Sequence, residues 1–392
     1  MRIAINVEQL FYRAPGGTGR YSARLAASMA RQFSPDVVVP FSAWHGRRQV
    51  EAALARFDLH PSALAGAGGL APVVRLPVPR PALLDTWNRS AFLGPQLFSR
   101  AIRSADIVHN PFPSAPPVKV PLVVTVHDAG FAVLPGSYPR RGLRFHHLAL
   151  ERTSERADLV ITVSQAALEE VAANSPISRD RLRVVYQGVD HQRAAAAEIE
   201  AVLLRHQLAD APYVLWVGSL EPRKNVDALV KAFLVLAESN AVPHRLVLVG
   251  PLGWLHQGLI SDRERGLLGD RLRALGSVSD DELRALYAGA DLFAFPSLHE
   301  GFGLPVLEAM AQGTPVACSD IAALAEVSGG ASVLLPPTDI GAWATAIADI
   351  TSDTARRASL AAAGYERAGQ FSWERTARET HAIYEELVGG AQ

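Results

Sequence analysis

Two glutamates, Glu300 and Glu308, flank the turn Gly301-Phe302-Gly303-Leu304-Pro305. Proline at the first positions of a helix and glycine just past its end are ordinary helix punctuation. The stretch therefore predicts a short helix that opens at Leu304-Pro305 and closes at Gly313. Glu300 would precede it, and Glu308 would sit about one turn inside. The positive end of such a helix favours an anion, and the two glycines let backbone amides line a ligand. A carboxylate in that setting can accept the vicinal hydroxyls of a ribose or another sugar. Two solvated surface carboxylates are the alternative, and the turn between them weighs against it.

A second group is VGSLEPRKN, residues 217–225, where Gly218 and Ser219 end a strand and Arg223 and Lys224 follow. Paired cations beside a helix start suit a diphosphate; a solvated charged loop is the other reading. A third is His127-Asp128 at the end of an apolar run, where a histidine can bond a substrate hydroxyl or exchange a proton. A structural capping pair is the alternative there. His109, in DIVHN, offers a second imidazole at a strand end. The fourth, GGTGRY, places Gly16 and Gly17 between a strand and a helix. It lacks the full G-x-G-x-x-G spacing of a dinucleotide fingerprint. A phosphate-binding helix start and a plain tight turn remain equally open.

These residues need elements to hold them. A chain of 392 residues is too long for one ordinary core and implies two domains. Its 49% hydrophobic and 20% charged content fits a soluble globular protein, and the net charge of -1 provides no basic field for nucleic acid. The expectations are no nucleic-acid partner, no apolar run near the ~18 residues of a membrane span, and a cytoplasmic address. Cys318 is the single cysteine, so no internal disulfide is possible, and a buried small hydrophobe is its expected role.

Short β-branched runs alternate with longer amphipathic stretches, the pattern of parallel α/β layers. Strands are expected at 2–6, 36–40, 106–110, 122–128, 158–164 and 182–188, then at 213–219, 244–250, 272–276, 291–295, 315–318 and 332–335. Helices are expected at 18–30, 225–238, 280–288 and 305–312, and 60–85 reads as irregular. The stretch 189–210 reads as a connection plus a helix. The domains would be 1–190, joined by a returning helix at 371–390, and 191–370. Both would be doubly wound, with ligands outside the carboxyl ends of their strands and a cleft where the two face each other.

With these motifs in place, the chain resembles the retaining, nucleotide-sugar-dependent GT-B enzymes of glycosyltransferase family 4 over essentially its whole length. The resemblance rests on the glycine pair after the first strand, His127, EPRKN at 221–225, and above all E-x7-E in EGFGLPVLE at 300–308 followed by AMAQGTPV. It implies that Glu308 binds the nucleotide ribose and that Glu300 contacts the donor sugar. Amides around Phe302, Gly303 and Leu304 would face sugar and phosphate. Arg223 and Lys224 would neutralise the diphosphate, with Gly17 closing over it, and His127 would hold the transferred sugar. Val278, in GSVSD, would serve the base. Many relatives carry arginine after the glycine that ends the domain's first strand; here Ser219 stands there, and Arg223 is expected to supply the charge.

The resemblance further implies a metal-independent hexose transfer without cofactors, with mannose from GDP-mannose as the leading donor. The acceptor would be a glycan or a lipid-linked molecule. Arg140, Arg141, Arg144, His146 and His147, at the start of an expected helix, suit an anionic membrane surface or a solvated helix face about equally. Aromatics in 83–98 read as core or interface. Alternatives are a UDP-sugar transferase, a nucleotide-sugar epimerase or hydrolase, and a non-catalytic sugar-binding protein. The first is separated by its base preference. The second needs an acid/base set that is not identifiable here, and for the third E-x7-E with two adjacent cations would be surplus.

Overall fold

A computed structural model describes residues 1–12, 15–57, 59, 69–89 and 100–390. The chain divides into two compact units: Met1–Ala132 with Arg140–Gly188 and Ser372–Gln392, and Val133–Pro139 with Val189–Phe371.

The first unit is built on strands β1 (Arg2–Asn6), β2 (Val37–Ser42), β3 (Val74–Arg75), β4 (Ile107–Asn110), β5 (Leu122–Val126), β6 (Leu159–Thr162) and β7 (Leu182–Val184). They lie in the order β3-β2-β1-β4-β5-β6-β7, and every described pairing is parallel. The second unit holds β8 (Tyr213–Val217), β9 (Arg245–Val249), β10 (Leu272–Gly276), β11 (Leu292–Phe295), β12 (Val316–Ser319) and β13 (Val333–Leu335). Their order is β10-β9-β8-β11-β12-β13, again with parallel pairings. Runs such as LVVTV and YVLWV are buried along their whole length. Helices on both faces of a parallel sheet leave no polar side to alternate with, and β-branched residues suit that packed surface. Both units are therefore doubly wound α/β layers of the Rossmann kind.

All twelve expected strands appear: β1 and β10 have the expected bounds, β2 runs two residues further, β12 is shifted by one residue, and the others are one to four residues shorter. The first helix starts earlier than expected, at Gly16, and runs to Gln32. The stretch 60–85 is not irregular throughout: β3 lies in it, and Arg80–Arg89 is helical with Pro81 in its first turn. Proline-rich composition hid that start, although proline is at home there. Residues 60–68 lie outside the described residues. The connection after residue 189 carries the helix Ala196–Arg205.

The helix Trp373–Gly389 belongs to the first unit. Ser372 caps it by accepting the Arg375 amide at 3.1 Å. Its Trp373, Ala377, Ile383 and Tyr384 join Tyr21, Leu25 and Met29 of the first helix in one apolar cluster with Ile3, Ile5 and Ile107. His109 sits inside this core with no exposure. Its Nδ1 shares a hydrogen bond of 2.6 Å with the Tyr384 hydroxyl, and its Nε2 one of 2.8 Å with Thr125 Oγ1. Thr125 in turn meets the Tyr21 hydroxyl at 3.2 Å. His109 is thus a structural tie between sheet and terminal helix, and the expected second ligand-facing imidazole is corrected. Histidine at a strand end read the same either way until its partner, 275 residues distant, was in place.

Burial pushes the His109 pKa down to about 3, so the folded ring is neutral. The unfolded ring takes up a proton below about pH 6.5. Its contribution to stability is whole above that value and is lost as pH falls from there toward 3. Urea melts between pH 7.5 and 4.5 should show this decline. His109→Gln should cost about 1–3 kcal/mol at pH 7.5 and flatten the slope by up to about 1.4 kcal/mol per pH unit. An unchanged slope would rule out His109 as a group held neutral.

Candidate active site

In the second unit β8 pairs with β9 on one side and β11 on the other, so the chain direction of winding reverses between β8 and β11. Loops at the carboxyl ends of two such strands diverge and leave a crevice. The loop after β8 contains Gly218, Ser219 and a tight turn at Pro222–Lys224. Asn225 follows at φ 52° and enters the helix Val226–Glu238. Its Nδ2 donates to the carbonyls of Pro296 at 3.0 Å and Pro337 at 2.7 Å. The Leu298 amide donates to the Arg223 carbonyl at 2.9 Å. These bonds stitch the β8 loop to the loops after β11 and β13.

The stitching brings Arg223, Lys224 and Glu300 together. Lys224 Nζ donates to Glu300 Oε1 at 2.6 Å. One terminal nitrogen of Arg223 reaches Glu300 Oε2 at 3.3 Å and the His299 carbonyl at 2.9 Å. The other donates to Glu221 Oε1 at 3.0 Å. The four side chains are 12%, 12%, 8% and 3% exposed for Arg223, Lys224, Glu300 and Glu221, low enough that water screens them little. Burial alone would raise the Glu300 carboxyl, but Lys224 and Arg223 outweigh it and hold it below the usual range. For Glu221 burial prevails over the same two cations and pushes the carboxyl up. Two cations and two carboxylates thus make a nearly neutral, desolvated cluster with the means to bind an anion if one carboxylate gives way. Glu221 was passed over in the sequence reading, although it opens the EPRKN run.

Gly303, at φ 98°, turns the chain into the helix Leu304–Ala311, with Pro305 in the first turn. A Cβ on Gly303 would lie 2.3 Å from Leu324 Cδ2 as well as in the left-handed region, so glycine is required. Phe302 is buried and meets Phe371 edge-on at 6.0 Å. Glu308 lies one turn inside the helix, where its Oε2 accepts the Tyr287 hydroxyl at 3.1 Å. Val278 is half-buried in the turn after β10, two strands away from β8 in the sheet order. Gly218 is tightly backed: a Cβ on Gly250 would lie 1.9 Å from its carbonyl oxygen.

In the first unit the winding reverses between β1 and β4. Gly16, at φ 60°, and Gly17 are exposed at the start of the helix Gly16–Gln32. His127 follows β5 and is half-buried. Its Nε2 donates to the Pro111 carbonyl at 2.9 Å, which leaves Nδ1 to accept from Gln187 Nε2 at 3.2 Å. Tyr21 meets the ring edge-on at 5.0 Å. Burial lowers its pKa against the Pro111 carbonyl and Asp128, so a neutral, oriented imidazole stands there. Asp128 accepts the Gly130 amide at 2.9 Å and caps the following turn.

Arg140, Arg141, Arg144 and His147 are exposed on the helix Arg140–Arg156, while His146 stacks on Phe131 at 5.2 Å. Within 83–98, Trp87 is fully buried, and residues 90–98 lie outside the described residues. Cys318 is buried in β12, and burial pushes its thiol up to about 12. Among the described residues no helix is long and apolar enough to cross a membrane.

Comparison with known proteins agrees with this architecture. Residues 15–193 match the family described as Glycosyltransferase Family 4, and residues 205–367 match Glycosyl transferases group 1. The chain is 32% identical over 391 residues to the O-antigen chain mannosyltransferase B of Escherichia coli, covering 99% of this chain and 100% of that one. Over 244 residues it is 34% identical to the serotype-specific mannosyltransferase WbdA of Escherichia coli, 61% of this chain but 30% of that protein. The fold superposes on the crystal structure of Anabaena HepE in complex with UDP and glucose with a TM-score of 0.72, at 20% identity and covering 99% and 100% of the two chains. The chain belongs to the GT-B glycosyltransferases, with the family 4 and group 1 domains in tandem.

Proposed function

We propose that the chain moves mannose from GDP-mannose to a glycan or lipid-linked acceptor, with retention at the anomeric carbon and without a metal ion. The carrying observation is the Arg223–Lys224 pair held against Glu300 beside the helix start at the β8/β11 crevice. The full-length likeness to a mannosyltransferase supports the choice of sugar. Breaking the anomeric bond builds negative charge on the departing nucleoside diphosphate. Arg223 and Lys224 would turn from Glu300 to the diphosphate, releasing Glu300 to accept from a hydroxyl of the sugar. The amides at the start of the helix Leu304–Ala311 add fixed positive potential. Glu308, already oriented by Tyr287, would accept from the ribose hydroxyls. In a same-side displacement the departing phosphate oxygen takes the acceptor's proton, so no protein nucleophile is required. The assignments of His127 to the sugar, of Gly17 to the diphosphate, of Gly16 and Gly218 to the donor nucleotide and of Val278 to the base rest on the family pattern; Ser219, assigned to the donor as well, stands where that pattern has arginine.

A thermal-shift panel of GDP, UDP, ADP and their sugars tests the donor. A ligand that binds the folded chain alone should stabilise it by about 2.7 kcal/mol at a hundredfold excess over Kd. The shift should appear with GDP and be lost in Glu308→Ala. A shift with UDP instead would replace GDP-mannose by a UDP-sugar, the donor type bound by the HepE structure; no shift with any nucleotide would sink the transferase site.

Lys224→Ala should lower kcat by about 10²–10³, the usual cost of one preorganised donor to a developing anion. A loss confined to KM would mean that Lys224 binds donor and transition state equally. Product analysis by NMR of the fresh anomer checks retention and excludes epimerase or hydrolase activity. For the acceptor, cosedimentation with phosphatidylglycerol vesicles should fall in the triple variant of Arg140, Arg141 and Arg144 to glutamate. A wild-type chain that ignores such vesicles and glycosylates only soluble sugars would dismiss the membrane reading.

A further inference from the structure

Glu8, just past β1, is buried with no exposure. Its Oε2 accepts the Ala43 amide at 2.8 Å, and His45 Nε2 lies 3.0 and 3.1 Å from its two oxygens. Nε2 is thus engaged by the carboxylate, which leaves Nδ1 as the ring nitrogen that can bond a ligand hydroxyl. The imidazole lies flat on Phe11, with centroids 4.1 Å apart and 10° between the planes, which fixes its orientation. Trp44, the preceding residue, is 60% exposed, while its amide is fastened to the Val78 carbonyl at 2.9 Å. Arg75 donates to the His45 carbonyl at 3.1 Å. Nearby in the chain, Arg80 lies 4.1 Å over the Tyr12 ring.

Closing the loop after β2 requires the Glu8–Ala43 bond and no imidazole. The added parts are a ring nitrogen oriented by a buried carboxylate and an indole presented to solvent on a fastened backbone. Sugars are bound by this combination, because their hydroxyls need oriented polar groups and their C–H faces lie against aromatic rings. The location fits too: β1, which leads to Glu8, borders the position where the first sheet's winding reverses, and β2, which leads to Trp44 and His45, is its neighbour on the other side.

We propose that Glu8, His45 and Trp44 form an acceptor subsite on the first unit, which binds a neutral hexose residue of the acceptor glycan. His45 Nδ1 bonds a sugar hydroxyl, the Trp44 indole covers the opposite C–H face, and Glu8 acts as a positioning residue through His45. The subsite rests on the transferase reading, since it needs a reaction in which a glycan is the acceptor.

The test uses the full chain with α-linked mannobiose as probe. Saturation-transfer NMR should show the disaccharide bound to the wild type, and transfer assays with the donor chosen by the nucleotide panel should give its KM. Trp44→Ala and His45→Ala should each raise that KM about tenfold, the size of one lost ring contact or hydrogen bond. His45→Gln, whose amide oxygen can accept the same hydroxyl, should recover part of the loss. Glu8→Gln retains an acceptor for the Ala43 amide but takes away the carboxylate that holds Nε2, so the KM should rise although the loop stays closed. The nucleotide-induced thermal shift, read in each variant, reports whether it is folded. Should His45→Ala fail to fold, Trp44→Ala carries the test. Unchanged KM in folded variants, or no saturation transfer to mannobiose from the wild type, overturns the subsite. A wild type without any nucleotide shift overturns the transferase reading instead.

Discussion

The cluster of Arg223, Lys224, Glu221 and Glu300 is the constraint around which the second unit's crevice is organised. Two cations withdrawn from water cost several kcal/mol each unless opposite charges meet them. The chain meets them with two carboxylates from different segments, and this requires the loops after β8 and β11 to stay in register. The Asn225 amide, bonded to Pro296 and Pro337, and the Leu298 amide, bonded to the Arg223 carbonyl, maintain that register through backbone groups. The ionic contacts can therefore exchange partners without loosening the loops. Glu300 is the carboxylate held ionised, and Glu221 the one pushed toward protonation. A charge balance of this kind holds both cations in place through their own counter-charges.

The two units solve a shared problem with the same topology and different chemistry. Each sheet reverses its winding beside its first strand, and each places a glycine turn and a helix start there. The second unit fills that position with charge. The first places oriented imidazoles near it: His127, held between Pro111 and Gln187 after β5, and His45, held by Glu8 after β2. Oriented hydrogen-bonding groups suit hydroxyls, while paired cations suit phosphates.

Much of this was legible in the sequence because parallel strands buried on both faces read as continuous apolar runs. The helix Leu304–Ala311 was legible from Pro305 and the glycines at 303 and 313. Less legible was anything depending on contacts across long sequence distances. Lys224 meets Glu300 across 76 residues, and His109 meets Tyr384 across 275. A strand-end histidine bound to a core tyrosine is indistinguishable in sequence from one that faces a ligand. Glu8 and His45 fell outside any motif, since only the pairing of β1 with β2 brings them together. The helix Arg80–Arg89 was obscured by proline and alanine, which are as frequent in irregular segments as at helix starts.

The helix Trp373–Gly389 gives the two units different histories during synthesis. The main segment of the second unit, Val189–Phe371, is uninterrupted in sequence, whereas the first unit is completed by residues that leave the ribosome only after that segment. Until Trp373, Ile383 and Tyr384 emerge, the groove they fill leaves Tyr21 and His109 without their covering helix. Domains commonly fold as units in order of emergence, yet here the domain begun first closes last. The apolar groove stays available to chaperones, or to a neighbouring nascent chain, throughout the translation of nearly two hundred further residues.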